Sequence, residues 1–203
     1  MPRTSSAKER LTEAALRMIW GQSYGSTSVD AICEEAKVKK GSFYYFFKSK
    51  SDLAVAALDA DWRRHRAQLD TIFSPTVPPL ERLERYFDFN YERLVEIKKE
   101  CGAVLGCPLY ALGSEICTQD TVLRGKIQEI LDRKVTYLES AIRDAHAQGL
   151  IMAPNEKAKA RTLFMLIQGA LTQARIQNDV EVLHDIYPDA LDLLGAGKVK
   201  SAA

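Results

Sequence analysis

The chain has 203 residues, of which 46% are hydrophobic, so it can bury one large core or two smaller ones. Its formal net charge of +1 points to no acidic partner for the chain as a whole. No run approaches the roughly 18 apolar residues of a membrane-spanning helix, and the first ten residues, MPRTSSAKER, contain no apolar signal region. We therefore expect a cytoplasmic protein without membrane contacts.

Three short helices are predicted within the first 50 residues. An apolar face recurs at helical spacing up to Gly21, where the first helix is expected to end. The hydroxyls of Thr27 and Ser28 predict an N-cap for a second helix. A turn at 37–38 leads to a third helix over about 39–46.

The rest of the chain also shows helical periodicity. Ser49 or Ser51 caps a fourth helix, which the prolines between 75 and 79 terminate. A fifth helix starts near Leu80, and Pro108 suits the first position of a sixth. The last four predicted helices cover about 108–116, 120–148, 156–177 and 180–194. No segment alternates as a strand does, so the predicted fold class is all-α.

Charge and helix lengths together predict two domains and a tail. Residues 1–50 carry nine Lys/Arg and five Asp/Glu, whereas the remaining residues carry 19 and 22. A basic head on a mildly acidic body suits phosphate contacts made by the head alone. We predict a helix-turn-helix domain over 1–50, a helical effector-binding and dimerisation domain over 51–195, and a flexible tail over 196–203.

The third helix carries side chains that suit nucleic acid. Lysine pairs with guanine edges or phosphate, serine with either, and tyrosine with phosphate or the thymine methyl group. Gly41 lets the backbone approach a duplex closely. The alternative is an ordinary amphipathic helix with solvated lysines and half-buried tyrosines. The candidate residues in and just after this helix are Lys39, Lys40, Gly41, Ser42, Tyr44, Tyr45, Lys48 and Lys50.

The order of these features resembles the N-terminal domain of TetR-family transcriptional regulators over residues 8–56. The resemblance rests on a hydrophobic helix, a glycine linker, the Thr-Ser cap, VKKGSFYY and FKSKSDL. It implies a homodimeric repressor, less often an activator, that binds a palindromic operator and releases it when a small molecule binds.

Carried over by motif position, the resemblance gives roles to individual residues. It implies phosphate contacts for Thr27 and Ser28 and backbone contacts for Tyr44 and Lys50. Two positions depart from the family pattern: Phe46 replaces a common histidine, and Lys39 replaces a common serine. The candidates that face the bases are Lys40, Gly41, Ser42 and Tyr45.

The dimer is expected to form through the helices at about 120–148 and 156–177. Both carry apolar stripes, and Gly169 with Ala170 permits close helix approach. The alternative is that these stripes form each subunit's own core. The stripe residues are Ile127, Ile130, Leu131, Leu138 and Ile142 on one helix and Leu163, Phe164, Ile167, Leu171 and Ala174 on the other.

A small-molecule pocket is expected among the central helices. His65 and Asn90 interrupt apolar stripes and are therefore expected to point inward, although a satisfied core histidine is the commoner outcome. Aromatic side chains are candidate walls, with plain core as their alternative. The candidate ligand-binding residues are Trp62, His65, Phe87, Asn90, Tyr91, Cys107 and Tyr110.

Cys107 directly precedes the helix that begins at Pro108, and a helix N-terminus can favour a thiolate. Cys101 is near enough in sequence to form a disulfide with it, whereas Cys117 is not if one helix separates the two. The stretch GCPLYALGSE is similar to a segment of TetR-like regulators that respond to reactive electrophiles. Buried structural cysteines are the alternative.

These features predict a ligand- or redox-responsive regulator, most often a repressor, released by a small apolar or electrophilic inducer. The rival hypothesis is an all-helical enzyme with thiol chemistry around Cys107. Against it, the sequence contains no phosphate loop, nucleophile elbow or compact acid–base pair. Cysteines and histidines without short paired spacing predict no metal site, and no cofactor is expected.

Overall fold

A computed structural model describes residues 6–184 and 186–196 of the chain. Within these ranges the secondary structure consists of α-helices and one short 3-10 helix, without a strand, which confirms the all-α class. The helices are α1 (Ala7–Gly21), α2 (Val29–Glu35), α3 (Lys40–Phe46), α4 (Lys50–Ile72), α5 (Pro79–Cys101), α6 (Pro108–Ile116), α7 (Thr121–Ala147), α8 (Glu156–Gln177) and α9 (Ile186–Leu193).

Side-chain caps determine where several helices begin. The Glu9 backbone N–H donates to Ser6 Oγ at 3.2 Å, and the Ser6 N–H donates to the Glu9 carboxylate at 2.6 Å. This capping box starts α1. Ser49, one of the two predicted caps of α4, accepts the Asp52 N–H at 3.0 Å. Asn155 caps α8 in the same way, through the Ala158 N–H.

The predicted last helix, 180–194, is wrong as a single element. The structure has a 3-10 helix at Glu181–Leu183 and a separate α9 that begins at Ile186. Pro188 explains why α9 begins where it does, because proline lacks an N–H and is tolerated only in the first helical turn. The helix therefore starts two residues before it.

The chain divides into two compact units. The first contains the described residues up to His65 together with Pro108–Ile130, and the second contains Arg66–Cys107 together with those from Leu131 onward. The first three helices are thus grouped with α6, the start of α4 and the start of α7. The proposed boundary at 50/51 stays a prediction. The predicted tail, 196–203, lies outside the described residues except for Ala196.

The core of the first unit fixes the orientation of α3. Phe43 is completely buried and Phe47 is nearly so. Their ring centroids lie 6.0 Å apart, and α3 packs against both α1 and α2. Arg10 Nε donates to the Ala36 carbonyl at 3.1 Å, which ties α1 to the end of α2. This anchoring leaves the opposite face of α3 to solvent.

A buried arginine organises part of the second unit. The Arg82 side chain is only 3% exposed and donates to Asp144 at 2.7 Å. It also donates to the backbone carbonyls of Val77 at 2.7 Å and Pro75 at 3.1 Å. One side chain thus joins α5, α7 and the loop that precedes α5.

The apolar stripes predicted for the dimer lie mostly inside the single chain. Apart from Leu131, every stripe residue named above is buried, so the alternative that they form the subunit's own core is the one observed. The exposed face of α8 carries Met165, Gly169 and Ile176 instead. No helix in the described ranges combines the length and apolar character that crossing a membrane requires.

Candidate nucleic-acid interface

A tight turn sets the geometry between α2 and α3. Lys37 adopts a left-handed conformation, with φ of 52°. Its N–H donates to the Glu34 carbonyl at 3.0 Å, and the Val38 N–H donates to the Cys33 carbonyl at 2.9 Å. These bonds end α2 and redirect the chain within a few residues, so that α3 starts at Lys40 as a second, separately oriented helix.

The two hydroxyls before α2 have different roles. Ser28 is the N-cap, and its Oγ accepts the Ala31 N–H at 3.1 Å. Thr27 is buried, and its hydroxyl donates to the Ser23 carbonyl at 2.7 Å. The predicted capping role therefore applies to Ser28, whereas the Thr27 hydroxyl holds the preceding loop and is turned away from solvent.

The outer face of α3 is formed by large exposed side chains. Tyr45 is 83% exposed and Tyr44 is 58% exposed, although aromatic rings of this size are normally at least half-buried. A side chain on Gly41 would meet no neighbouring atom. The structure also leaves Lys39, Lys40 and Lys48 exposed, with Ser42 partly exposed. We call this set of residues the α3 face.

Lys40 forms an exposed ion pair with Asp30 of α2 at 2.7 Å. The hydrogen bond to this carboxylate raises the pKa of Lys40. Exposed pairs of this kind contribute little to stability. The lysine can therefore exchange Asp30 for a phosphate or a base edge at small cost.

Lys50, which is predicted to contact phosphate, also bonds groups within the chain. Its ammonium donates to the Tyr24 carbonyl at 2.8 Å and to the Thr27 carbonyl at 3.0 Å. It also lies 4.1 Å from the centroid of the Tyr24 ring. Lys50 therefore holds the loop between α1 and α2, because two carbonyls and an aromatic face surround its charge.

Sequence reasoning missed a second group that holds this loop. The Glu115 carboxylate, on α6, accepts the N–H groups of Tyr24 at 2.8 Å and Gly25 at 2.6 Å. A Cβ on Gly25 would lie 3.1 Å from the Glu115 oxygen, so a larger residue there would require the carboxylate to shift. Burial, Asp120 and Glu115, in that order, raise the pKa of Tyr24. No local pattern could reveal a pairing between positions 90 residues apart.

Comparisons with known proteins agree with this geometry. The family model for bacterial regulatory proteins of the TetR family matches residues 11–57. A second model, the tetracyclin repressor-like C-terminal domain, matches 79–187, more than half of the chain. The chain belongs to the TetR family of transcriptional regulators.

Three relatives of this TetR-family regulator span nearly its whole length. An uncharacterised HTH-type regulator in the lacX 3′ region of Lactococcus lactis is 29% identical, covering 90% of each chain. The transcriptional regulator AcuR of Cereibacter sphaeroides is 28% identical, covering 90% of this chain and 83% of AcuR. The repressor NemR of Escherichia coli K12 is 22% identical, covering 95% and 96%.

A solved structure supports the fold. The crystal structure of the reduced form of Escherichia coli NemR has a TM-score of 0.79 with 19% identity, covering 94% of this chain and 98% of that one. At this identity the likeness concerns the fold alone. The family, and not a single relative, therefore assigns transcriptional regulation to this chain.

Three of the predicted ligand-binding residues of the regulator lie in the first unit. Trp62 is buried and Tyr110 is partly exposed. His65 is partly exposed, and its Nδ1 lies 2.8 Å from the Asp61 carbonyl and 3.2 Å from the Asp61 carboxylate. An apolar recess in this unit contains none of the three; it is lined by Leu16, Ile19, Trp20, Ala54, Ala57, Leu58, Pro108 and Leu112.

The other four predicted ligand-binding residues lie in the second unit. Phe87 packs against Tyr187, with ring centroids 5.4 Å apart. The Asn90 amide donates to the Tyr86 carbonyl at 2.6 Å, and the Tyr91 hydroxyl bonds Glu181 at 3.3 Å. Cys107 is buried. Their role in ligand binding stays a prediction.

All four cysteines of the regulator are free thiols. Cys101 is exposed and Cys107 is buried directly before α6, which begins at Pro108 as predicted. Cys117 is partly exposed, and burial is the largest of the effects that raise the pKa of its thiol. The Cys101 thiol is therefore open to solvent, whereas the Cys107 thiol is not.

Proposed function

We propose that this regulator is a homodimeric repressor that binds a palindromic operator through α3 and is released by a small apolar or electrophilic inducer. The observation that carries the proposal is the α3 face, where two exposed tyrosines lie among lysines within the family's N-terminal domain. NemR, described as a repressor, supports repression, and a DNA-bound role supports a cytoplasmic location. Membership of a family of transcriptional regulators argues against the enzyme alternative.

The proposed DNA contacts follow the exposure of each side chain. Lys40, Ser42 and Tyr45 are assigned to base edges, with Gly41 allowing close approach. Backbone phosphates are assigned to a second group, namely Ser28, Lys39, Tyr44 and Lys48. Thr27 and Lys50 are assigned to holding the α1–α2 loop instead, because their polar groups already bond its carbonyls.

The proposed dimer surface is the exposed face of α8. Met165 is 63% exposed and Ile176 is 72% exposed, eleven positions and therefore about three helical turns apart. Gly169 lies between them, and a Cβ there would meet no atom of the same chain. An exposed apolar stripe with a glycine at its centre suits close packing against a second copy of α8.

DNA binding is tested by fluorescence anisotropy with a fragment from immediately upstream of the protein's own gene, across a salt series. We expect tight binding that weakens steeply with salt. Tyr45→Ala and Lys40→Ala should each weaken it by about tenfold or more, since a base contact contributes about 1–3 kcal/mol. Lys99→Ala removes an exposed lysine from α5 and serves as the charge-matched control. Equal affinities for all four proteins would contradict the proposal.

The dimer is tested by sedimentation of a Met165→Glu, Ile176→Glu variant. Four carboxylates facing one another across a two-fold axis should separate the subunits. Tyr45→Ala should remain dimeric while losing DNA binding, which makes it the matched control. If the double variant still sediments as a dimer, the interface lies on another surface.

A further inference from the structure

The last residue of α3 presents an apolar ring to solvent. Phe46 is 37% exposed, whereas the nearby Phe43 and Phe47 are buried, at 0% and 5%. The two residues before it, Tyr44 and Tyr45, carry hydroxyls that can bond a phosphate or a base edge, but the Phe46 side chain has no polar atom. The hydrogen bonds and charges proposed for the α3 face therefore do not account for the exposure of Phe46.

Ring contacts hold Phe46 in a fixed orientation. Its ring lies at 57° to that of Phe47, with centroids 6.4 Å apart, and Phe47 in turn lies 6.0 Å from buried Phe43. It also packs edge-to-face with Tyr45, with centroids 4.9 Å apart and an interplanar angle of 81°. Aromatic pairs favour this geometry. The row of rings runs from the core of the first unit to its surface, so Phe46 offers a partner a preformed apolar surface.

Phe46 continues the part of α3 that is proposed to face the bases. It follows Ser42 by four positions, a spacing that makes the two side chains neighbours on the helix surface. Tyr45 follows Gly41 by the same spacing, and a Cβ on Gly41 would meet no neighbouring atom. Exposed Lys48 lies two positions beyond Phe46 and can neutralise a phosphate. A duplex that contacts these residues therefore also comes close to the Phe46 ring.

The chemistry of the ring limits what Phe46 can recognise on DNA. Phosphates and most base-edge groups are bound by charge or by hydrogen bonds, neither of which a phenyl ring supplies. The 5-methyl group of thymine is the apolar group that the major groove displays, and phenylalanine is among the side chains that contact it. Covering this methyl group removes apolar surface of both partners from water. Uracil and cytosine lack the methyl group, so such a contact discriminates thymine from both.

We propose that Phe46 determines operator specificity by contacting the 5-methyl group of one thymine in each half-site. This role rests on the proposed function, because α3 must enter the major groove for the contact to form. The packing against Phe47 orients the ring, and the neighbouring lysines hold the phosphates. The operator accordingly contains a thymine at the same position of both half-sites, and replacing it with cytosine weakens binding.

A double-mutant cycle between the protein and the DNA tests this contact. The fragment from immediately upstream of the gene is synthesised once with thymine and once with uracil throughout, which removes the 5-methyl groups and keeps the base-pairing groups. Fluorescence anisotropy gives the dissociation constant of each protein for both fragments. The parent protein should bind the uracil fragment about fourfold more weakly for each half-site, the effect of losing one buried methyl group. Phe46→Ala should bind the two fragments equally.

Two further variants separate the methyl contact from other effects of the substitution. Phe46→Leu keeps an apolar side chain and should retain most of the preference for thymine. Tyr45→Ala removes one neighbouring ring while Phe46 remains packed on Phe47, so it should weaken binding to both fragments and leave their ratio unchanged. Because each protein is compared with itself on two fragments, a variant that is partly unfolded still reports the ratio.

Two outcomes would overturn the role of Phe46 and leave the proposed function intact. One is a parent protein that binds the thymine fragment tightly and the uracil fragment equally well. The other is a preference for thymine that persists unchanged in Phe46→Ala, which would assign the methyl contact to another residue. A parent protein that does not bind the thymine fragment would instead contradict the proposed function, and the Phe46 contact with it.

Discussion

The α3 face and the interior around Cys107 display their polar groups in opposite ways. On α3, lysines and tyrosines project into solvent from a helix whose other side is anchored by Phe43. In the second unit, which contains Cys107, Tyr86 packs beside Phe73 and both Tyr86 and Gln168 are almost completely buried. An exposed surface can accept a large charged partner with little rearrangement, whereas a buried region admits only a small molecule and couples it directly to packing. Substitutions in the two regions should therefore have effects of different kinds and sizes.

Arg82→Met should produce the largest loss of stability. The substitution removes a buried cation that bonds Asp144 and two loop carbonyls. We expect the unfolding free energy to fall by about 2–3 kcal/mol. This is less than the full cost of a buried charge without a partner, because the Asp144 side chain that loses Arg82 is 28% exposed. Urea denaturation measures the change. Arg85→Met breaks an exposed pair with Glu81 and should cost less than about 0.5 kcal/mol.

The ion pair between Arg82 and Asp144 also predicts that stability depends on pH. The Arg82 hydrogen bond is the main reason that the pKa of Asp144 lies below its ordinary value of 3.8. A carboxylate with a lowered pKa in the folded state stabilises the protein above the unfolded-state pKa, and this contribution disappears as pH falls through the folded-state value. Between about pH 5 and pH 3, the parent protein should therefore lose more stability than Arg82→Met. Equal losses would show that Asp144 is not held by Arg82.

The contrast between surface and interior also explains what could be predicted from sequence. Pro108 and the Asn155 cap mark helix starts through local chemistry, so the bounds of α6 and α8 follow from nearby residues. Tyr45 stands out because an aromatic side chain among lysines fits no core. Arg82 and Glu115 do not stand out, because their partners lie 62 and 90 residues away. A helical period shows that Leu163 is apolar but not whether it faces its own core or a second subunit.

Gly106→Ala tests how firmly the Cys107 segment is held. Gly106 has φ of 63°, and an added Cβ would approach the Leu171 carbonyl oxygen to 2.8 Å. Strain and overlap together should cost about 1–3 kcal/mol of unfolding free energy, measured by urea denaturation. Gly125→Ala, on α7, meets no atom within 4 Å and should instead stabilise the protein by up to about 1 kcal/mol. If both variants were equally stable, the segment would be free to move away from α8.

Glu115→Ala tests whether α6 supports DNA binding by the helix-turn-helix domain. Loss of the carboxylate frees the Tyr24 and Gly25 N–H groups, so their hydrogen exchange should become faster. We expect operator affinity to fall by about threefold to tenfold, since a hydrogen bond of this kind contributes about 1 kcal/mol. Glu115→Gln keeps an acceptor and should be intermediate, and Glu96→Ala on α5 is the control. Faster exchange with unchanged affinity would separate the loop from DNA binding.

Asp30→Asn should have the smallest effect and the opposite sign. Asp30 pairs with Lys40, so its negative charge lies beside a side chain that we propose contacts DNA. Its removal should raise operator affinity by about threefold and steepen the salt dependence by about one ion, because Lys40 then contacts DNA without losing a partner. Asp189→Asn, in the second unit, is the control for anisotropy. A lower affinity would show instead that Asp30 orients Lys40 for the major groove. In that case Lys40 would need Asp30 to hold it in position, just as a buried polar group needs a fixed partner. Exposure alone would then no longer distinguish the α3 face from the interior.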